Sequence, residues 1–409
     1  MPDRSVDFLL IGGGIACARC AETLREEGAD GSILVVGREA DAPYARPPLS
    51  KEYLAGTMGK DEVQSLEDGW WAENGVELMT RTSVMRLDTA ERVAKLSTKE
   101  EVGFDRALVA TGANVRRLRV DGGDLDGIHY LRSYGNADAI RADAGEGRRA
   151  VLIGGSYIGT EVAATLTTLG VECTVLMQEG VCFEPQYGGD VGGYLQGLLE
   201  QHGVTAHGGD SLGRYEGSGE RVERVISQGG LELECDFVVV GVGVVPDVML
   251  ARGAGLELGE DGGIACSDRL ETSVPGIYAA GDVCEYDSPL HGRPVRIEHW
   301  DVAAEHGKTA ARNMLGQDVA HEAVPYFWSE LADWAKLEYV GGGSGDRQVI
   351  RGSLDEGEFI AFSLDGDRLV AAVTVGRPED LSEARRLIAD RATPDPAALA
   401  DTATELSTL

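Results

Sequence analysis

The chain is short of positive charge. Lys and Arg number 37 against 69 Asp and Glu, a formal charge of −32, and only six of the 37 are Lys. A phosphate-facing surface has to be basic, so nucleic acid is excluded as a partner and an anionic membrane surface is disfavoured. The acidity reads as a strongly solvated, self-repelling surface, and the preference for Arg over Lys as codon composition. Long apolar runs are missing too. The longest stretches, such as Phe237 to Pro246, are far too short to span a bilayer. The early run Phe8-Leu-Leu-Ile11 leads directly into Gly12-Gly-Gly14 and a helical pattern, which makes it a first strand rather than a leader. With no targeting segment, a cytoplasmic location is expected. A disulfide framework is also absent, because the seven cysteines (Cys17, Cys20, Cys173, Cys182, Cys235, Cys266 and Cys284) are odd in number and scattered. Cys17-Ala-Arg-Cys20 matches C-x-x-C, but it falls in the first turns of a helix, where small buried residues pack against a strand. No second C-x-x-C completes a zinc site, and His299 and His306 lack a carboxylate–His pattern, so no metal is expected.

What is there begins with length and an internal echo. At 409 residues the chain exceeds one compact core and fits two or three domains. The strand Val6 to Leu10, then Gly12-Gly-Gly14, a helix to Gly28 and the strand Ser32 to Val36 form one order of elements. It recurs at Ala150 to Ile153, Gly154-Gly-Ser156, a helix to Gly170 and the strand Glu172 to Leu176. Each is a β-turn-α-β unit with a largely apolar first strand, as a parallel strand buried on both faces requires, so two nucleotide-binding modules are expected. A meander follows each module. Val76 to Met79, Ser83 to Leu87 and Arg92 to Leu96 read as an antiparallel excursion that closes on Ala107 to Gly112. A hairpin-rich stretch at 204–240 closes on Phe237 to Gly241. After residue 320 the pattern changes to Gly341-Gly-Gly-Ser-Gly345, short strands around Val349, Phe359 and Leu369, and a helix over Pro378 to Ala392. From Thr393 onward large apolar side chains thin out, and a poorly ordered tail is expected. The expected class is α/β, with two Rossmann-like domains and a small α+β C-terminal domain.

Three motifs carry chemistry. In Gly12-x-Gly14-x-x-Cys17 the first glycine permits a tight turn and the second lets the backbone approach a pyrophosphate. The helix N-terminus, at Ile15 and Ala16, then offers free N–H groups to the phosphates. The residue that should hold a ribose lies near the end of the next strand, where the candidates are the acid Glu39 and, one place earlier, Arg38. The second fingerprint is Gly154-x-Ser156-Tyr157-Ile158-Gly159, with Ser in the middle glycine position. No base occurs between Gly170 and Tyr187, and Glu179 is the available acid, which favours NADH over NADPH. The third motif is Glu271-Thr-Ser-Val-Pro-Gly-Ile-Tyr-Ala-Ala-Gly281-Asp282, a strand leading into Gly-Asp. An Asp at that turn can hydrogen-bond the ribityl chain of a flavin, which makes a split FAD domain interrupted by an NAD module.

Together with Tyr44-x-Arg46-Pro-Pro-Leu-Ser-Lys51, Ala110-Thr111-Gly112, Gly241-Val-Gly243-Val-Val-Pro246, Glu298-His299-Trp300 and Pro325-Tyr-Phe-Trp328-Ser329, these motifs carry a resemblance. The chain resembles the FAD-dependent pyridine nucleotide oxidoreductases, and within them the ferredoxin (redoxin) reductases of oxygenase systems. It is also similar to the apoptosis-inducing-factor-like proteins. The resemblance covers residues 6 to about 390 and implies a three-domain, glutathione-reductase-like architecture. The implied parts are residues 1–114 and 241–320 for FAD, 115–240 for NAD, and 321–409 for the C-terminal reductase domain.

In thiol-dependent members of that superfamily a redox Cys lies near the Arg46–Lys51 segment, but this sequence has no Cys between Cys20 and Cys173. Electrons are therefore expected to pass from NADH to FAD and directly to an acceptor. The resemblance further implies that Lys51 sits at the flavin N5 edge and pairs with Glu161, as the catalytic residues. It implies that Arg46, Arg132 and Val84 contact FAD, and that the helix after Glu298-His299-Trp300 faces the flavin. Trp328 would belong to the C-terminal domain beside it. The expected partners are NADH and a ferredoxin-type redox protein, with no membrane insertion and a homodimer left open. Arg116, Arg117, Arg119, Arg293, Arg296, Lys308 and Arg312 are candidates for a local basic docking patch. Two other readings stand beside the reductase: an NADH-sensing flavoprotein like the apoptosis-inducing factors, and an NADH oxidase or quinone reductase.

Overall fold

The structure is a computed structural model and describes residues 1–343 and 345–409; Ser344 of the glycine-rich stretch lies outside them. The chain folds as two compact units. The first comprises Met1–Arg46, Lys60–Asn114 and Val245–Pro325, and the second Pro47–Gly59, Val115–Val244 and Tyr326–Leu409.

The first unit is built on a seven-stranded sheet. Its parallel part runs Val76–Met79, Ile33–Val36, Arg4–Ile11, Glu101–Val109 and Ile277–Ala279. The strand Glu101–Val109 has a divided role. Its beginning pairs antiparallel with Val93–Leu96, through Val93 opposite Gly103, and its end pairs parallel with Ile277–Ala279, through Ala107 opposite Ile277. Leu9, Leu10, Leu34, Val35, Leu108 and Val109 are fully buried, as central strands covered on both faces require. The helices Ile15–Glu26 and Trp300–Met314 pack closely against each other: a Cβ on Gly307 would collide with the Ala16 carbonyl oxygen. Cys17 and Cys20 are fully buried on the first of these helices, and Cys20 Sγ lies 3.9 Å from Met314 Sδ.

In the second unit, a five-stranded parallel sheet runs Thr205–His207, Glu172–Leu176, Arg149–Ile153, Phe237–Val240 and Ile128–Tyr130. A small antiparallel sheet of Leu212–Glu216, Arg224–Ser227 and Glu232–Glu234 follows Thr205–His207 in the chain. The C-terminal domain is a five-stranded antiparallel sheet in the order Tyr326–Leu331, Ala335–Gly341, Arg368–Val375, Glu358–Asp365 and Arg347–Ser353, with the helix Pro378–Ala389. The segment Pro47–Gly59 carries a 3-10 turn, Pro47–Ser50, and a short helix, Glu52–Ala55. It is fastened to the helix Tyr157–Thr168, because Thr165 Oγ1 donates to the Ser50 carbonyl at 2.8 Å.

Three expectations need correction. Val76–Met79 does not open the antiparallel excursion; it is a parallel edge strand paired with Ile33–Val36. Thr205–His207 is likewise a parallel edge strand, paired with Glu172–Leu176. Both follow helices, and a helical crossover returns the chain in the same direction. The tail is not loose. Pro396–Ala400 is helical, with the Asp395 side chain accepting from the Ala397 N–H at 3.0 Å, and Leu399 and Leu406 are buried. The buried Arg351 guanidinium donates to the carbonyls of Asp401 at 2.6 Å and Thr404 at 3.0 Å, so a charged group satisfies the backbone of the last turns. Among the described residues no helix is long and apolar enough to cross a membrane.

Candidate functional site

The two fingerprints are built on one local plan. Gly12 has φ +150° and Gly154 has φ +109°. A Cβ on Gly12 would collide with the Ala110 carbonyl oxygen, and one on Gly154 with the Gly241 carbonyl oxygen. In each unit the end of the neighbouring strand presses against the first glycine, and only glycine fits there. Gly14 then N-caps the helix Ile15–Glu26 and Ser156 the helix Tyr157–Thr168, and neither cap makes a side-chain hydrogen bond. A Cβ on Gly14 would meet nothing within 4 Å. The first N–H groups of both helices, at Ile15 and Ala16 and at Tyr157 and Ile158, are thus left for an anion at the carboxyl ends of parallel strands. This uncapped cradle fits a dinucleotide pyrophosphate. At the third fingerprint position Gly159 packs on the Gly154 carbonyl, whereas the first unit uses Cys17.

The ribose side of the first unit separates the two candidates. Arg38 is exposed and pairs with Asp247 Oδ2 at 3.0 Å and Asn114 Oδ1 at 2.8 Å. Glu39 accepts from Arg46 Nη2 at 2.5 Å and Tyr44 OH at 2.6 Å. Burial pushes the Glu39 carboxyl up, but the Arg46 charge and the Tyr44 hydroxyl outweigh it and hold the group below the usual range. Ala110, Thr111 and Gly112 follow the strand Glu101–Val109, where Thr111 Oγ1 donates to the Asp247 carbonyl at 2.7 Å and the Gly112 carbonyl accepts from Asp247 N–H at 2.8 Å. Asp247 therefore ties Arg38 to this turn, a link that sequence reading missed.

Asp282 lies on the 3-10 turn Gly281–Val283, and its charge acts on Arg46. The turn is held from behind, because Gly281 N–H donates to His306 Nδ1 at 3.2 Å. His299 N-caps the helix that starts at Trp300, and burial pushes its imidazole down to about 4. Glu298 is exposed and pairs with Arg296 at 2.5 Å. Val84 stands on the antiparallel hairpin opposite Leu96.

The second unit holds a buried polar cluster. Glu161 projects from the fingerprint helix and is 3% exposed, and Lys51 is 8% exposed. Lys51 Nζ lies 2.9 Å from Glu161 Oε2 and also donates to the Pro47 carbonyl at 3.1 Å. Two hydroxyls complete the carboxylate's surroundings: Ser50 Oγ donates to Oε2 at 2.5 Å and Ser329 Oγ to Oε1 at 2.6 Å. Ser50 and Ser329 lie inside the motifs quoted above, but no local spacing signals that both point at Glu161. Beside them, burial first and the neighbouring Glu52 and Glu161 next push the Glu330 carboxyl up, against the pull of Lys51 and Lys336.

The remaining residues of this unit occupy separate positions. Tyr157 packs on Phe327, with ring centroids 4.4 Å apart, and shares a 2.7 Å hydroxyl contact with Tyr187. Glu179 is half-buried, three residues past the strand Glu172–Leu176, and its carbonyl accepts from Gly209 at 2.8 Å. The Gly243 carbonyl accepts from Arg116 N–H at 3.0 Å. The Arg132 N–H donates to Asn136 Oδ1 at 3.2 Å, beside the capping box of the helix Tyr134–Asp143. Trp328 stacks on Tyr326 at 6.0 Å.

No thiol is positioned for redox work. All seven cysteines are free and buried, and burial pushes the thiols of Cys17, Cys173, Cys182 and Cys235 up to about 12, where the reactive thiolate is scarce. The candidate docking cations are also largely committed: Arg296 pairs with Glu298, Lys308 with Glu305 and Arg312 with Glu27, and Arg117 lies over the Tyr130 ring at 5.0 Å.

Comparison with known proteins agrees with this geometry. The family model for pyridine nucleotide-disulphide oxidoreductases matches residues 6–307, and the reductase C-terminal model matches residues 326–409. The ferredoxin--NAD(+) reductase component of the anthranilate 1,2-dioxygenase system of Burkholderia cepacia is 36% identical, over 98% of this chain and 98% of its own. Putidaredoxin reductase of Pseudomonas putida is 33% identical, over 97% of this chain and 94% of its own. Among solved structures, the covalent putidaredoxin reductase–putidaredoxin complex aligns with a TM-score of 0.93 at 32% identity, covering 98% of this chain and 97% of that chain. The chain belongs to the pyridine nucleotide-disulphide oxidoreductase family and ends in that family's reductase C-terminal domain.

Proposed function

We propose that the chain is an NADH-dependent FAD flavoprotein reductase that passes electrons to a ferredoxin-type iron–sulfur carrier of an oxygenase system, without a redox-active disulfide. The observation that carries this reading is the buried Lys51–Glu161 pair, in a chain whose seven cysteines are all free and buried. A cation–carboxylate pair can orient a nicotinamide and set the charge around a flavin, and the segment that carries Lys51 has no Cys for thiol–disulfide exchange. The names of the relatives, among them ferredoxin--NAD(+) reductases of two dioxygenase systems and a putidaredoxin reductase, support this reading over an NADH sensor or an oxidase.

When bound, FAD would supply the chemistry that couples two-electron oxidation of NADH to one-electron release. The chain's own contribution is placement. Gly12 and Gly14 would admit the FAD pyrophosphate to the helix Ile15–Glu26, Glu39 and Arg46 would hold the adenosine side, and Asp282 would take the ribityl side. Gly154 and Ser156 do the same for NADH at the helix Tyr157–Thr168, where Glu179 accepts a ribose hydroxyl and repels a 2′-phosphate. Lys51, held by Glu161, would supply a fixed positive charge for the hydride-transfer step. His299 stays neutral at physiological pH, so it adds no competing charge at the N-terminus of the helix Trp300–Met314. A cytoplasmic location fits this role, because seven free cysteines persist in a reducing compartment.

A steady-state assay tests the reading. NADH oxidation should require added ferredoxin, and NADPH should give a far lower kcat/KM. Equal turnover in air without a carrier, or a preference for NADPH, would overturn it.

A further inference from the structure

The Lys51–Glu161 pair is not free-standing. Its carboxylate receives three donors from two separate segments: Ser50 and Lys51 from the segment Pro47–Gly59, and Ser329 from the C-terminal strand Tyr326–Leu331. Ser50, Lys51, Glu161 and Ser329 are 2%, 8%, 3% and 1% exposed, so water is not at hand to replace a lost donor. The two hydroxyls divide the carboxylate between them. Ser50 shares Oε2 with the Lys51 ammonium, and among the described residues Ser329 alone takes Oε1. The Ser329 bond therefore fixes the rotation of the carboxylate plane, and with it the position of Oε2 and of the ammonium it holds.

Ser329 is itself rigidly mounted. It lies mid-strand, opposite Leu337 in the antiparallel register, and its neighbour Trp328 alternates to the other face of the sheet. Short charge-assisted hydrogen bonds of this kind are the stronger ones, and a buried network with every member satisfied rigidifies its site.

We propose that Ser329 is a positioning residue for the proposed hydride-transfer step: through Glu161 it holds the Lys51 ammonium in place, so that the C-terminal domain completes a site otherwise carried by the nucleotide-binding part. This rests on the reductase reading above. Ser329 touches neither nicotinamide nor flavin in this account and acts only through the carboxylate.

The test uses the flavin-loaded full chain with two readouts. The first is the rate of flavin reduction by NADH under anaerobic conditions, resolved into a limiting rate and an apparent Kd. Ser329→Ala should lower the limiting rate about tenfold and change the apparent Kd by less than about twofold, since misplacement costs rate rather than binding. Ser329→Thr, which keeps the hydroxyl, should recover most of the loss. The second readout needs no turnover: reductive methylation with labelled formaldehyde, followed by mass spectrometry, in a chain with only six lysines. Lys51 should be protected in the parent and methylated several-fold faster in Ser329→Ala, with Lys95 and Lys99 as unchanged surface controls. Ser50→Ala serves as the second variant should Ser329→Ala fold poorly, and it should also expose Lys51. Parent-like limiting rate and parent-like Lys51 protection in a folded Ser329→Ala would overturn the proposal. If NADH fails to reduce the parent itself, the reductase reading falls, while Lys51 protection still decides whether the clamp exists.

Discussion

Lys51 Nζ and Glu161 Oε2 stand 2.9 Å apart, although 110 residues separate them in the chain, and their side chains are only 9% and 4% exposed. An ion pair so far from water gains little net stability from its attraction, because desolvation offsets the Coulomb term. Its retention inside the second unit is therefore evidence of use rather than of reinforcement.

That balance predicts a distinctive mutational pattern. Lys51→Met leaves the Glu161 charge buried without its cation, and Glu161→Gln does the reverse, so each should cost about 3–5 kcal/mol in urea unfolding. The double variant should cost clearly less than the sum of the two. Additive losses in the double-mutant cycle would show that the two charges do not act on each other.

Stability should also depend on pH through buried imidazoles in the first unit. His306 and His321 are 0% and 3% exposed with ring centroids 4.5 Å apart, and Thr309 Oγ1 lies 3.1 Å from His321 Nδ1. Burial pushes His321 down to about 4; burial, with His321 next, pushes His306 well below its ordinary value. Unfolded imidazoles protonate near about 6.5, so the unfolded chain binds more protons below that pH. Stability is therefore full above about 6.5 and falls as pH drops toward the folded values. Thermal unfolding between pH 7 and 5 should show this slope, and His321→Phe should reduce it. A slope unchanged in that variant would contradict the assignment.

The uneven legibility of the chain follows from what is local. Gly12, Gly14, Gly154 and Gly159 could be read because a strand–turn–helix around a phosphate is specified within six residues. The direction of Val76–Met79 and Thr205–His207 could not, because a short apolar run looks the same in a parallel and an antiparallel pair, and only the preceding crossover decides. The Lys51–Glu161 pairing came from resemblance, since no pattern within either segment names the other. Ser329 meets Glu161 from 168 residues away, and a serine in a strand carries no mark of its partner. The ordered tail was hidden for the same reason: Leu399 and Leu406 are isolated apolar residues whose burial depends on a sheet formed earlier in the chain.

The C-x-x-C pair gives a third prediction. Cys17→Ala and Cys20→Ala should each leave ferredoxin-dependent turnover within about twofold of the parent, since neither thiol is available as a thiolate. Neither native thiol should react with an aromatic disulfide reagent until the chain unfolds. Loss of turnover in both variants with FAD content retained would restore a redox role for the pair.

Helix crossing gives a fourth. Gly307→Ala places a methyl against the Ala16 carbonyl oxygen and Cys20 N, where nothing flexible can yield. Overpacking of this kind costs about 1–3 kcal/mol, and because Ala16 lies in the first turn of the pyrophosphate helix, FAD should also be held more weakly. An FAD content and unfolding midpoint equal to the parent's would show that the two helices separate freely.

The central claim is electron flow from NADH through FAD to an iron–sulfur carrier, and anaerobic stopped-flow tests it most directly. The purified yellow protein would be reduced with NADH, then mixed in one series with a panel of ferredoxins and in another with air-saturated buffer. The account predicts fast bleaching by NADH and reoxidation by at least one ferredoxin far faster than by oxygen. A stable long-wavelength charge-transfer complex that no carrier discharges would contradict it.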